Sequence, residues 1–280
     1  MFYSRTDLAC EAIPKSLKHG DFGGVKIETK SYNGIEAIEV NVIDEFGANA
    51  TKRSIGKYVT IYSGRVWLYE NEFIIDLESL IANKLLEMID SQIKSPHKIL
   101  VCGLGNRQIT SDALGPLVID KLNIDTNNSC LISPGVFCKC GIESYDMVLA
   151  MSRQTNADLI IIVDALASKG LDRLCTTIQI TDSGICPGSG IGNSKKEISK
   201  RTIGIPVISI GVPTVIDSST LIFEALNEVG IERIPYELEE ILSNNKNFFV
   251  SPKDSDIIIS SLSTIISNAL ELTFKNKWFF

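Results

Sequence analysis

Histidine is almost missing from this chain: His19 and His97 are the two in 280 residues. Neither lies near the polar, glycine-bearing loops around 103–112, 164–168, 182–193 and 211–215 in the sequence. That counts against a serine or cysteine nucleophile served by an imidazole base, and against a histidine-led metal centre. Long apolar runs are missing too. No window reaches about 18 consecutive apolar residues, so no transmembrane helix is expected. The opening Met-Phe-Tyr-Ser-Arg-Thr-Asp-Leu-Ala-Cys has no apolar core after a basic start, so no export signal is expected and a cytoplasmic protein is. Positive charge is in deficit, with a net charge of −7, which makes direct nucleic-acid binding through phosphates a poor expectation. Action on a basic or DNA-associated protein stays open. The seven cysteines are an odd number and are expected to be reduced. Cys130 and Cys138-Lys-Cys140 cluster, but a structural zinc site usually needs two ligand pairs, so neither metal nor cofactor is expected.

What the chain does have is core. Hydrophobic residues make up 44% and charged residues 22%, enough to pack one large α/β domain. Residues 1–24 are polar and mixed and read as a leader and connecting segment. Residues 25–75 form a small β-rich unit, with alternating runs at Val25–Thr29, Ala37–Val42, Tyr58–Tyr62 and Arg65–Tyr69. Residues 76–280 form the α/β core. A helical stripe covers 76–95 and another 112–122, and an amphipathic helix lies near the end, around Ile257–Leu270. Between them run three buried strands, Lys98–Gly103, Leu159–Val163 and Pro206–Gly211. Continuous aliphatic strands alternating with helices predict a mostly parallel sheet flanked by helices, with a small antiparallel β subdomain.

In open α/β sheets, chemistry collects beyond the carboxyl ends of the strands. Asp164 ends the run Ile160-Ile-Ile-Val163, where a carboxylate is poorly solvated on one side. Asp112 lies some ten residues past the first buried strand. Two carboxylates over a sheet edge can divide acid and base work on an attacking water. A plain helix cap for Asp112 and a hydrogen-bonded strand-end turn for Asp164 are equally open from spacing. Gly103-Leu-Gly105 is a weak dinucleotide signal, because Gln108 stands at the third glycine position. Gly188-Ser-Gly190 with Gly192 and Asn193 can form an oxyanion nest through main-chain N–H groups.

The chain resembles the germination proteases, the spore peptidases that degrade small acid-soluble spore proteins. Arg5-Thr-Asp-Leu-Ala9 with Glu11-Ala12, Gly103-Leu-Gly-Asn106, Asp112-Ala-Leu-Gly-Pro116, Pro134-Gly-Val136 and Gly141-Ile-Glu143 carry the likeness. It continues through Asp164-Ala-Leu-Ala-Ser168, Thr177-Ile-Gln179, Pro187-Gly-Ser-Gly190, Gly192-Asn193 and Gly211-Val-Pro-Thr-Val215. The resemblance implies a phosphorylase/hydrolase-like fold, as in hydrogenase maturation proteases, a homotetramer in the spore core, and a self-processing zymogen. It implies aspartic-type catalysis by Asp112 and Asp164, with Asn106, Gly188, Ser189, Gly190 and Asn193 as groove or oxyanion candidates. Asp7-Leu-Ala-Cys-Glu11 is similar to the family's target pattern, which points to processing between Leu8 and Ala9 of a mobile leader that lies in or over the substrate groove before it is cut. A metal-dependent maturation-type endopeptidase and an inactive spore-protein-binding homologue are the alternatives. Ser111 before the first aspartate, Phe137-Cys-Lys-Cys140 and Ser194-Lys-Lys196 depart from the family pattern.

Overall fold

A computed structural model describes residues 5–13, 20–124, 127–135, 141–189, 196–231, 235–243 and 248–278. Four strands come first: β1 (Gly20–Phe22), β2 (Val25–Tyr32), β3 (Ile35–Val42) and β4 (Gly56–Tyr62). The others are β5 (Ile99–Gly103), β6 (Ser129–Ile132), β7 (Leu159–Ala167), β8 (Thr177–Thr181), β9 (Val207–Asp217) and β10 (Phe249–Val250). They join in one mixed sheet of order β1-β2-β3-β4-β8-β9-β7-β5-β6, with β10 pairing on β9. Its parallel part is β6, β5, β7 and β9. The antiparallel part, β1 to β4, continues into the same sheet because β8 runs antiparallel to both β4 and β9.

Two apolar layers cover the central strands. The helices are α1 (Glu45–Thr51), α2 (Asn71–Gln92), α3 (Leu114–Lys121), α4 (Ser144–Gln154), α5 (Lys200–Ile203), α6 (Ser218–Glu228), α7 (Tyr236–Ser243) and α8 (Ser255–Trp278), and α2, α3 and α8 pack on one face. On the other face lies α4 (Ser144–Gln154), through Tyr145 and Val148. Strand parity divides the aliphatic runs: Leu159, Ile161 and Val163 enter the first layer, Ile160 and Ile162 the second. A strand buried on both sides must be apolar at every position, which is why these runs show no alternation. By length and composition alone, α8 could cross a membrane. Here Ile258, Leu262, Ile265, Ile266 and Leu270 are buried against the first layer, as in a core helix. The alternation at Arg65–Tyr69 does not make a strand. Gly64 (φ +63°) turns the chain, and Val66–Leu68 form a 3-10 turn leading into α2, with Val66 buried and Leu68 exposed.

One ionic cluster is buried where β3 meets α2. Glu39 accepts from Lys84 and Lys30, both at 3.1 Å, and Lys57 lies 3.4 Å away. Lys84 also reaches Glu87 at 2.9 Å. Burial alone would raise the Glu39 pKa, but the hydrogen bonds from Lys84 and Lys30 outweigh it and hold the carboxyl at about 2, below the ordinary 4.5. The folded form therefore binds this proton less readily than the unfolded chain. Stability from the cluster is present above about pH 4.5 and is lost as pH falls toward about 2. Melting curves between pH 5 and pH 2 should show a steep acid limb that is shallower in Glu39→Gln. Equal limbs would remove Glu39 from the acid response.

Candidate active site

Strands β5, β7 and β9 are parallel neighbours; β5 stops at Gly103, level with Val163, and β7 and β9 run on past that edge to Ala167 and Asp217, so Asp164 lies inside β7 rather than at its end. Asp112 comes to this edge by a folded-back loop. After β5 the chain turns at Gly105 (φ +116°), where a Cβ would sit 2.0 Å from the Asp112 carbonyl oxygen. Only glycine allows both that dihedral and that approach. The Asn106 N–H donates to Asp112 Oδ2 at 2.8 Å, and Asn106 Oδ1 accepts from the Gln108 N–H at 3.0 Å. Asp112 stands in a 3-10 turn, Thr110–Asp112, while the N-cap position of α3 is Ala113, with no side-chain cap. The helix-cap reading of Asp112 therefore fails. Thr214 Oγ donates to the Ser111 carbonyl at 2.5 Å and ties the turn to β9.

Asp164 is buried on β7, opposite Gly211 of β9. Its Oδ1 accepts from the N–H of Ala165 at 2.9 Å. Asp112 and Asp164 line one cavity of about 490 Å³, together with Leu104, Gly188, Ser189 and Thr214. Two carboxylates held by different devices, a glycine-dependent turn and a position inside a buried strand, thus line the same cavity. Their chemistry suits proton traffic around a water molecule.

Of the other candidates, Gly188 (φ +76°) and Ser189 line the cavity. Gly190 and Asn193 lie outside the described residues. Asn106 does not line the cavity, and its main-chain N–H is taken up by Asp112. The Ser189 N–H donates to the Cys186 carbonyl at 3.1 Å, so it already serves the turn. Among the described residues, no group of three or more His, Cys, Asp or Glu side chains is gathered to hold a metal ion.

The expectation of a mobile N-terminal end is corrected. Residues 5–11 are docked, and Leu8 and Ala9 are 0% exposed. Asp7 explains much of this. Its N–H donates to the Ala167 carbonyl at 2.8 Å, and its carboxylate accepts from the Ala167 N–H at 2.9 Å and from the Ser189 hydroxyl at 2.6 Å. The Gln179 side chain spans the peptide. Its Oε1 accepts from the Ala9 N–H at 2.8 Å and its Nε2 donates to the Asp7 carbonyl at 3.1 Å. Arg53 donates to the Thr6 carbonyl at 2.6 Å and the Leu8 carbonyl at 3.4 Å. Glu11 accepts from the N–H groups of Lys169 at 2.7 Å and Gly170 at 2.8 Å, and from the Thr6 hydroxyl. Burial raises the Glu11 pKa, and those hydrogen bonds pull against it.

Asp7, Arg53 and Gln179 line the same cavity as the two aspartates. The sequence led us to expect the leader, and Asp7 with it, in or over the groove, but not Arg53 or Gln179. The only residue-level signal was the Thr177-Ile-Gln179 block; Arg53, one residue after the left-handed cap Lys52, gave none.

The model of the germination protease family matches residues 6–240. The germination protease of Clostridium tetani (strain Massachusetts / E88) is 33% identical, covering 97% of this chain and 95% of its own. That of Caldanaerobacter subterraneus subsp. tengcongensis is 34% identical, over 97% and 94%. That of Priestia megaterium is 38% identical over 80% of this chain and 66% of its own. Among solved structures, the [NiFe] hydrogenase maturation protease HycI from Thermococcus kodakarensis KOD1 aligns over 67% of this chain and 99% of its own, at 17% identity and a TM-score of 0.41. So weak a structural likeness adds nothing to the assignment, which stands on the family match and on relatives aligned almost end to end. The chain belongs to the germination protease family, and is a peptidase of that family.

Proposed function

We propose that the chain is an aspartic-type endopeptidase that starts the breakdown of small acid-soluble DNA-binding spore proteins at germination. The observation that supports the reading is that Asp112, in the turn after β5, and Asp164, on β7, line one cavity. One carboxylate takes a proton from the attacking water, and the other gives one to the leaving amine. Each carboxylate also accepts a main-chain N–H, Asp112 from Asn106 and Asp164 from Ala165, which fixes its orientation toward that task. The test is incubation with a purified small acid-soluble spore protein. Cleavage at one defined site supports the reading; an intact substrate under conditions where the family's enzymes work contradicts it.

The same reading makes the chain a homotetrameric zymogen of the spore core that cuts itself between Leu8 and Ala9. Asp7 in the cavity supports a leader that starts in the groove. Because Leu8 and Ala9 are fully buried, the segment must first leave its seat before that bond is open to attack. Mass analysis before and after activation should show loss of Met1–Leu8. An active protein that keeps those residues ends the self-processing part.

A further inference from the structure

Strand β9 touches both aspartate-bearing segments. At Gly211 it lies opposite Asp164 of β7. Three residues on, the Thr214 hydroxyl donates to the carbonyl of Ser111, the residue immediately before Asp112, at 2.5 Å. One strand is therefore the common reference for the two carboxylates. The other ties of the Asp112 turn lie within its own loop. The Asn106 N–H donates to the Asp112 carboxylate, and the Asp112 N–H donates to the Ile109 carbonyl at 2.8 Å. Such bonds fix the shape of the loop, whereas the Thr214 bond fixes its place on the sheet.

The local sequence explains how Thr214 reaches the turn. Pairing of β7 with β9 runs Asp164–Gly211, Ala165–Val212, Leu166–Pro213 and then Ala167–Val215. Thr214 is skipped, and is the extra residue of a β-bulge. Pro213 has no N–H to give a ladder, and strands accept proline at such places. The bulge is pinned on both sides. The Pro213 carbonyl accepts from the N–H of Cys175, a residue at φ +58°, at 2.7 Å, and the Val215 carbonyl accepts from the Ser168 N–H at 3.1 Å. Thr214 itself is buried, at 1% exposure, and lines the cavity with Ser111 and Asp112. A bulge beside an active site commonly re-aims one side chain, and the side chain re-aimed here carries the donor that holds the turn.

We infer that Thr214 is a positioning residue for the cleavage reaction: through the Ser111 carbonyl it sets the place of Asp112 relative to Asp164, and the bulge after Pro213 is the device that aims it. A catalytic group misplaced by about 1 Å can lose around 10²-fold in rate, so a tie one residue from Asp112 has large leverage. The inference rests on the reading of Asp112 and Asp164 as the peptidase centre.

The experiment removes the hydroxyl and keeps the shape. Thr214→Val in the full-length protein is nearly isosteric and stays β-branched, as a strand prefers. On a small acid-soluble spore protein its kcat should fall by about ten- to 100-fold, with KM within about twofold of wild type. Thr214→Ser keeps the donor and should hold kcat within about threefold of wild type. In an Asp112→Asn background, Thr214→Val should cost less than about threefold more, because a residue that acts through Asp112 has nothing left to position. Amide hydrogen exchange, read by mass spectrometry, should quicken across residues 105–112 in Thr214→Val and stay unchanged in β5. Melting temperatures establish that each variant is folded, and Thr214→Ala, read the same way, replaces Thr214→Val if the latter does not fold. The inference is overturned if folded Thr214→Val cuts at the wild-type rate, if folded Thr214→Ser is as slow as Thr214→Val, or if the loss persists in full beside Asp112→Asn. If wild type leaves the spore protein intact, the peptidase reading falls and exchange decides the tie. Faster exchange at 105–112 in Thr214→Val, restored in Thr214→Ser, then upholds it, and unchanged exchange overturns it.

Discussion

Asp112→Asn and Asp164→Asn are each expected to lower kcat on a spore-protein substrate by about 10²–10⁴-fold, the usual worth of a positioned proton-transfer group. Both changes are nearly isosteric. In Asp112→Asn the amide oxygen can still accept from the Asn106 N–H, and in Asp164→Asn it can still accept from the Ala165 N–H. The turn and the strand should therefore persist, with circular dichroism unchanged and melting temperature close to wild type. What disappears is the capacity to take up a proton at the cavity wall. A folded variant that cuts at a near-normal rate would remove that aspartate from the chemistry.

Gly115→Ala is expected to damage stability and activity together. Gly115 sits in the first turn of α3, and a Cβ there would lie 2.2 Å from the Leu104 carbonyl oxygen and 2.5 Å from that of Val163. Both obstacles are main chain, so no side chain can swing aside to make room. Overpacking of this kind costs roughly 1–3 kcal/mol or more. Relief requires α3 to lift from β7 and from the end of β5, and the turn carrying Asp112 moves with it. Misplacing a catalytic group by about 1 Å can cost around 10²-fold in rate. Thermal unfolding and kcat/KM measured on the same preparation check both halves. Wild-type values for both would show that the α3 approach does not set the site.

The central sheet was legible in the sequence because its physics is simple. Lys98–Gly103, Leu159–Val163 and Pro206–Gly211 are apolar on both strand faces, and they form β5, β7 and β9. Asp112 and Asp164 were singled out from the same strands; the structure puts Asp112 in the turn after β5, and Asp164 inside β7, which runs on to Ala167. Other features left weaker traces. Arg65–Tyr69 alternates like a strand, yet Gly64 and the start of α2 decide its shape. Thr177–Thr181 read as strand-like, but nothing local says that it runs antiparallel to two neighbours and joins the two parts of the sheet. A leader lying in or over the groove was expected, but the way residues 5–11 are held was hidden more deeply. The partners are largely main-chain groups of Ala167, Lys169 and Gly170, and a main-chain N–H leaves no signature in residue identity. Polar residues at a chain end look mobile until the carboxylates find such donors.

The claim that Asp112 and Asp164 work as one unit is tested most directly by a double-mutant cycle on kcat/KM for spore-protein cleavage. Two groups that share one proton-transfer task lose that task when either is removed, so their effects are far from additive. The account predicts that Asp112→Asn/Asp164→Asn is no slower than the worse single variant, within about threefold. A double variant whose loss equals the product of the two single losses would contradict it, and would mean that the two carboxylates act separately.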